Sequence, residues 1–301
     1  VQIALEDGTP LGGGFVLRAV QRFDLTPIPS TLELSLRADA SLPRGGGRIV
    51  EGTVLLAGVN RDRYRIVKLR RAPSEWVQGP EDPAEAVEVT AILDGLHQVA
   101  RRRQRAVVKE GKSMGEVYRA CGATCRIGED IAAVRFACFV GMYPTVSIAQ
   151  ALQEEAAVAV WKLRGELAFV RLADLFKGRP VESMAADTTV EVSSEFLEDH
   201  EIPAGMSTKA DGAVIAGRRD VPHGWVYIPG ASARVLDNLT RCLVVRRTAP
   251  GGYAGHLRAG DGIDVAGVRH VVVTAAHTWD IGAAGGGQVQ STRLWLGQLK
   301  T

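Results

Sequence analysis

The chain has 301 residues, enough for about two domains of ~150 residues each, and its 46% apolar content excludes general disorder. With 36 basic against 34 acidic side chains the net charge is +2, too balanced to predict a nucleic-acid binder from bulk charge. No apolar run reaches the ~18 residues of a membrane helix; the nearest, IAAVRFACFVGMY, is short and carries Arg135.

The opening residues, VQIALEDGTP, lack a basic segment followed by an apolar one. No signal peptide is therefore expected, and the absent initiating Met points to processing or clipping. Leucines 32, 34 and 36 of STLELSLRA alternate with polar partners, the period of a half-buried strand. Pro27 and Pro29 just before it set an extended entry. SLPRGGGRIVEG (41–52) reads as a loop. GTVLLAGVNRDRYRIVKLRR (52–71) reads as two strands around an Asn-Arg-Asp turn, with Tyr64, Ile66 and Leu69 roughly alternating. EWVQGPEDPAEA follows as another loop, and AVEVTAIL (86–93) as a further strand.

Helical signals occupy the middle. KSMGEVYRACGA fits a short helix with Ser113 as N-cap and Gly122 as its stop. TVSIAQALQEEAAVAVW places a polar cap at Ser147, then Ile148, Leu152, Ala156 and Ala159 on one face. VWKLRGELAFVRL reads as a hairpin turning at Arg164-Gly165. Residues 178–224 carry Gly, Pro and charge with little period and read as a linker or arm. Strands return from about 225: GWVYI, RCLVVRR, GIDVAGV, RHVVVTAAH and TRLWLGQL.

The two ends repeat a pattern. LAGV (56–59) precedes YRIVKL and later VEVTAIL; VAGV (265–268) precedes HVVVTA and later TRLWLGQL. Each unit puts a Gly turn between two strands and returns with a third. The expected fold class is α+β and β-rich, with two related small tube-like β-barrels flanking a mixed α+β insert. The domain division is 1–98 for the first barrel, 99–177 for the helix and hairpin insert, 178–224 for the arm and 225–301 for the second barrel. Ala57, Gly58 and Val59, with Val265, Ala266, Gly267 and Val268, are the candidate framework of the matched turns.

Candidate chemistry is sparse. VVVTAAHTWD invites a protease reading of His277, but only 24 residues follow it, with Ser291 the one serine among them and no Gly-Asp-Ser-Gly context. A strand-end histidine with a structural role fits better. Cys121 and Cys125 form a C-x3-C pair with no His pair at finger spacing, and Cys138 and Cys242 stand alone. Neither a disulfide framework nor a zinc site is expected, and a reducing site of folding follows. ARRRQR, centred on Arg101–Arg103, is the one dense basic patch; no aromatic neighbour or presenting helix is evident, so a solvated face or an acidic partner is expected. LRAGDGIDV lacks EF-hand spacing and reads as a turn before a strand. The GGG runs at 12–14 and 45–47 lack a phosphate-loop frame. Glu154 and Glu155 have Ala neighbours and no nearby His or Arg to tune them. No catalytic residue and no cofactor is assigned.

The order of elements resembles a known family. SIAQALQEEAAVAVW leading into VWKLRGELAFVRL resembles the bacteriophage tail baseplate hub proteins, shared by the late control protein D family and the type VI secretion spikes. LDNLTRCLVVRR with HLRAGDGIDVAGVRHVVVTAAH is similar to the later tube-like barrel of such hubs, and FVLRAVQRFDLTPIPSTLELSLRA to their opening barrel. The resemblance spans roughly residues 10–300. It implies a structural homotrimer that joins a six-fold tail tube to a three-fold central spike around a channel. The implied partners are the tail tube or tube-initiator protein, the spike, other baseplate proteins and the tape measure protein. DNA is only in transit, and no stable membrane association is implied. The implied location is the virion tail, after assembly in the bacterial cytoplasm. The absence of a following spike domain and β-helix favours a separate phage hub over a secretion spike. The hub portion of a type VI-like spike is the alternative, and a tail-associated hydrolase or protease a lesser one.

Overall fold

Alternating apolar residues at the N-terminal end build strands that send their leucines into one core. The computed structural model describes residues 3–11, 15–37, 49–77, 83–192, 204–217, 224–280 and 289–300. The expected loop at 41–48 and the glycine runs at 12–14 and 45–47 lie outside the described residues. Strands β1 (Ala4–Leu5), β2 (Val16–Asp24), β3 (Ser30–Arg37), β4 (Val54–Ala57), β5 (Asp62–Val77) and β6 (Pro83–Leu93) stand in the order β1-β4-β5-β6-β3-β2. Every neighbouring pair in this group is antiparallel. Leu32, Leu34 and Leu36 of β3 are buried, as are Tyr64 and Ile66 of β5. A bulge at Val67 then adds one residue to β5 and shifts its alternation, so that Leu69 packs against the core and Lys68 stays exposed.

The insert carries β7 (Val107–Ser113), α1 (Met114–Ala120), β8 (Ala132–Cys138), α2 (Pro144–Glu154), β9 (Ala157–Lys162) and β10 (Glu166–Arg171). Helix α1 starts and stops as its sequence requires. The Ser113 hydroxyl accepts from the Glu116 N–H and the Glu116 carboxylate from the Ser113 N–H, each at 3.2 Å, a reciprocal cap. Gly122 follows the helix at φ +99°. Helix α2 departs from expectation at both ends. It begins at Pro144, where a missing N–H costs nothing, with Tyr143 in the cap position and Ser147 buried inside. It ends at Glu154, so Ala156, at φ +46°, has left the helix and Ala159 lies on β9. The β9–β10 hairpin turns at residues 163–165, with Gly165 at φ +71°.

Residues 178–224, read from composition as an arm, contribute four short strands: β11 (Glu182–Met184), β12 (Val190–Glu191), β13 (Ala204–Thr208) and β14 (Val214–Ala216). Segments this short hold too few residues to show a period. Beyond them come β15 (Trp225–Tyr227), α3 (Ala233–Leu239), β16 (Cys242–Gly252), β17 (Gly262–Val265), β18 (Val268–Asp280) and β19 (Val289–Lys300). A separate small sheet has the order β14-β13-β15.

The fold is α+β and rich in strand. Its two ends meet in one 12-stranded sheet. Strand β2 pairs antiparallel with β18 from Asp24↔Thr274 to Arg18↔Asp280, and the sheet continues through β19, β16 and β12, with β17 and β11 alongside β18. One buried cluster runs through both groups of strands and the insert, including Phe23, Leu55, Tyr118, Phe169 and Leu296.

Among the described residues, the turn between β17 and β18 is the tightest in the sheet. Val265 faces Val268, and the intervening Ala266 and Gly267 both take positive φ, +51° and +84°, the two-residue hairpin turn that favours Asn-Gly. Ala266→Asn is expected to stabilise the protein by about 0.5–1 kcal/mol, because alanine is disfavoured in that region. A higher urea midpoint is the predicted result; an unchanged or lower one would contradict this turn.

Candidate functional site

With no catalytic set in prospect, the candidate site is the duplicated sheet itself, and its geometry follows from backbone hydrogen bonds. Ala57 faces Asp62 across the first turn, residues 58–61, as Val265 faces Val268 across the second. Before the first turn, Ile66 N–H donates to Thr53 C=O at 2.9 Å and Gly52 N–H to Ile66 C=O at 2.8 Å. Before the second, Val272 N–H donates to Asp261 C=O and Gly260 N–H to Val272 C=O, both at 2.8 Å. Gly52 and Gly260 share a left-handed φ, +90° and +92°. Each long strand then bulges at the same distance from its first residue, at Val67 opposite β6 and at Val273 opposite β19.

The strand orders match as well. The first group runs β1-β4-β5-β6-β3-β2 and the second β11-β17-β18-β19-β16-β12, each position filled in the same chain order. One orientation differs: β1 is antiparallel to β4, whereas β11 is parallel to β17. The hydrogen bonds equate Ala57 with Val265, so the likeness of LAGV to VAGV is one residue out of register. Ala57 closes a strand, while Ala266 sits in a turn two residues shorter than residues 58–61. At Gly58, φ +81°, an added Cβ would collide with the Gln21 amide. Val59 and Val268 are both exposed at their turns.

A buried ion pair locks the two groups and the insert together. Asp62, at the head of β5, accepts from Arg258 Nη2 at 3.1 Å and from Trp161 Nε1 of β9 at 3.1 Å. Both charged side chains are 3% exposed. The Arg258 guanidinium lies 4.2 Å from the centre of the Phe23 ring of β2, a cation–π contact. Beside it, Tyr64 Oη lies 2.6 Å from Ser30 Oγ and accepts from Gln21 Nε2 at 2.9 Å. Burial pushes the Tyr64 phenol well above its usual range, and the Asp62 charge adds to this.

His277 is held as a structural group. It is fully buried on β18. Its Nε2 donates to the Leu257 carbonyl at 3.0 Å, which leaves Nδ1 to accept from the Thr292 hydroxyl at 2.9 Å. Thr292 Oγ1 in turn accepts from the Ala254 N–H at 2.9 Å. Both ring nitrogens are therefore engaged. Burial lowers the imidazole pKa to about 4, the Leu257 contact opposing and the Arg258 charge assisting.

Glu155 corrects an expectation. It is buried, yet Arg234 of α3 meets it with two bonds, at 2.7 and 2.9 Å, and Arg171 Nη1 lies 3.3 Å from Oε2. Burial alone would raise its pKa; Arg234 and Arg171 outweigh burial and hold it below the usual range. The sequence could not show this, because Arg234 is 79 residues away. The basic patch also gains a neighbour, since Arg102 stacks 5.1 Å over the Tyr143 ring, while Arg103 Nη1 donates to the Cys121 carbonyl at 3.2 Å. Burial pushes the thiols of Cys121 and Cys125 up to about 11, so both stay protonated at neutral pH. Among the described residues, no three His, Cys, Asp or Glu side chains converge to hold a metal.

No family model matches the sequence, and no curated protein matches it. The fold does match solved structures. A tail protein from Neisseria meningitidis MC58 aligns with a TM-score of 0.64 at 8% identity, over 99% of this chain and 95% of that one. The 43 kDa tail protein of prophage MuSo2 from Shewanella oneidensis aligns at 0.60 and 10% identity, over 98% of each chain. An E. coli type VI secretion component, described as structurally similar to the T4 tail proteins gp27 and gp5, aligns at 0.52 and 11% identity, over 98% of this chain and 77% of that one. This chain has the fold of phage tail proteins and of a type VI secretion component.

The environment of His277 predicts an acid-sensitive step. The folded imidazole has a pKa of about 4, below the 6.5 of a free imidazole, so the unfolded chain takes up a proton that the folded chain resists. Stability is full above pH ~6.5 and falls as pH drops towards 4, by a total on the order of 3 kcal/mol. His277→Gln is expected to flatten the dependence of unfolding free energy on pH in this window. Equal slopes for the two proteins would contradict the assignment.

Proposed function

We propose that the chain is the structural hub of a phage tail baseplate, a homotrimer that adapts a six-fold tail tube to a three-fold central spike and forms part of the central channel. The observation supporting this most directly is the duplication of a six-strand unit within one chain, with matched strand order, matched bulges and one backbone seam joining the copies. Three chains carrying two units each place six similar units around an axis. Such a ring offers six-fold repetition to a tube and three-fold repetition to a spike. The shared fold with tail proteins from Neisseria and Shewanella supports the same reading.

Within it, residues 1–98 and 225–301 form the two tube-like domains, 99–177 the insert, and 178–224 an arm that lends strands β11 and β12 to the second unit. The partners are the tube or tube-initiator protein, the spike, other baseplate proteins and the tape measure protein, with DNA only in transit. The place of action is the virion tail, after assembly in the host cytoplasm. The role is structural, and no catalytic residue or cofactor is assigned. The hub portion of a type VI-like spike is the second reading, favoured by the likeness to the E. coli component.

Light scattering over a concentration series tests the proposal. A mass three times 32.2 kDa is expected, with rings in negative stain. A strict monomer at every concentration, even with tube and spike partners added, would overturn it.

A further inference from the structure

The turn from β8 into helix α2 leaves a run of large apolar side chains uncovered. Phe139, Val140, Met142, Tyr143 and Val146 are each between 39% and 64% exposed. Single exposed apolar residues are ordinary, but a contiguous patch of them on a folded protein marks a contact surface. Backbone bonds fix the turn that carries them: Met142 N–H donates to Phe139 C=O at 3.1 Å, and Val146 N–H to Tyr143 C=O at 3.2 Å. A surface held in this way is formed before any partner arrives, which lowers the entropic cost of binding.

The basic segment ARRRQR closes one side of the patch. Arg103 N–H donates to Met142 C=O and Gly141 N–H to Arg103 C=O, both at 2.9 Å, and Arg102 lies over the Tyr143 ring. Arg103 is turned to the Cys121 carbonyl. Arg101, Arg102 and Arg105 are exposed and make no ion pair among the described residues. On the other side a cavity of about 230 Å³ opens between β8 and α2, lined by Phe136, Ala137 and Ala151 and bordered by the exposed Phe139 and Met142. It is smaller than the ~300–1,000 Å³ of clefts that take drug-sized ligands, and suits one bulky side chain. Arg135 and Glu154 also line it, with opposite charges, and Glu110 stands opposite Arg135 across the β7–β8 ladder. The excess positive charge beside the patch is therefore that of Arg101, Arg102 and Arg105.

We infer that this face of the insert docks a segment of a partner protein that places one bulky apolar side chain between β8 and α2 and sets Asp or Glu side chains against Arg101, Arg102 and Arg105. Aromatic residues, Met and Arg are the types enriched at the centres of protein interfaces, and an aromatic and Arg rim around a pocket is the arrangement of binding hot spots. Opposite charge steers the segment in and fixes its register. A lipid surface would engage the apolar side chains but has no use for the concave pocket behind them. A second copy seated on the same face would bring two arginine clusters together, and like charges across an interface are costly. The surface lies on the insert, outside the two six-strand units, so it is tested apart from the hub reading.

The test is a selection of displayed random peptides against the full chain. Enriched sequences are expected to carry a bulky apolar residue flanked by Asp or Glu. A synthetic peptide of the enriched sequence should bind about tenfold or more weakly to Met142→Ser and to Phe139→Ser, both exposed positions. Replacing Arg101, Arg102 and Arg105 together by Ser should weaken binding and remove its dependence on salt. In the unmodified chain, amides of residues 139–143 should exchange more slowly with the peptide bound. No enrichment, enrichment without acidic residues, or binding and exchange that ignore these positions would overturn the inference. Binding of the chain to phosphatidylglycerol vesicles that Met142→Ser abolishes, or self-association lost in that variant, would also overturn it, since each gives the patch a different occupant.

Discussion

Backbone N–H and C=O groups along the edge of a strand must be paired, covered or left to water, and a long bare edge invites the wrong partner. The architecture of this chain is organised by that constraint. Among the described residues, each six-strand unit taken alone leaves two stretches without a second neighbour, one on its last strand, β2 or β12, and one beyond the bulge of its longest strand. Pairing with the short hairpin partner stops before the bulge, which lies in the ladder with the next strand and re-aims the rest of the long strand. Within the chain, β2 takes the stretch of β18 so freed. Joining the ends of the sequence in this way turns two marginal sheets into one.

Side-chain chemistry at the junction reinforces the seam. Asp62 and Arg258 belong to different units, and both are nearly inaccessible to water. Desolvating two charges costs several kcal/mol per ion, and the pair holds only where further contacts share the load. Trp161 supplies a hydrogen bond to the carboxylate and Phe23 an aromatic face to the guanidinium. Four separate parts of the sequence are therefore required to be in place at once. A second network, Glu155 with Arg171 and Arg234, fastens α3 to the end of α2 by the same means. The first pair is buried on both sides, whereas Arg171 and Arg234 remain 41% and 46% exposed around the buried Glu155.

Local pattern made much of the sheet legible. The alternating leucines of β3, the hairpin at Gly165 and the capped start of α1 at Ser113 all express their structure within a few residues. What the sequence concealed depended on distance or brevity. Strands β11 and β12 are too short to show a period. The bulge at Val67 blurs the alternation of β5 from within. The start of α2 was signalled by Pro144, although Ser147 looked the better cap. The duplication was visible as LAGV and VAGV, but the correct register needed the paired glycines 52 and 260 and their hydrogen bonds. The partners of Asp62 and Glu155 lie far along the chain, where no periodic signal reaches.

The central claim is that two matched six-strand units in one chain, joined by one backbone seam, let a three-fold assembly present six-fold repetition. An electron cryomicroscopy reconstruction of the oligomer, computed without imposed symmetry, measures this most directly. The account predicts three chains with six equivalent sheet units around one axis. A monomer, or an oligomer whose sheet units do not repeat six-fold about one axis, would contradict it.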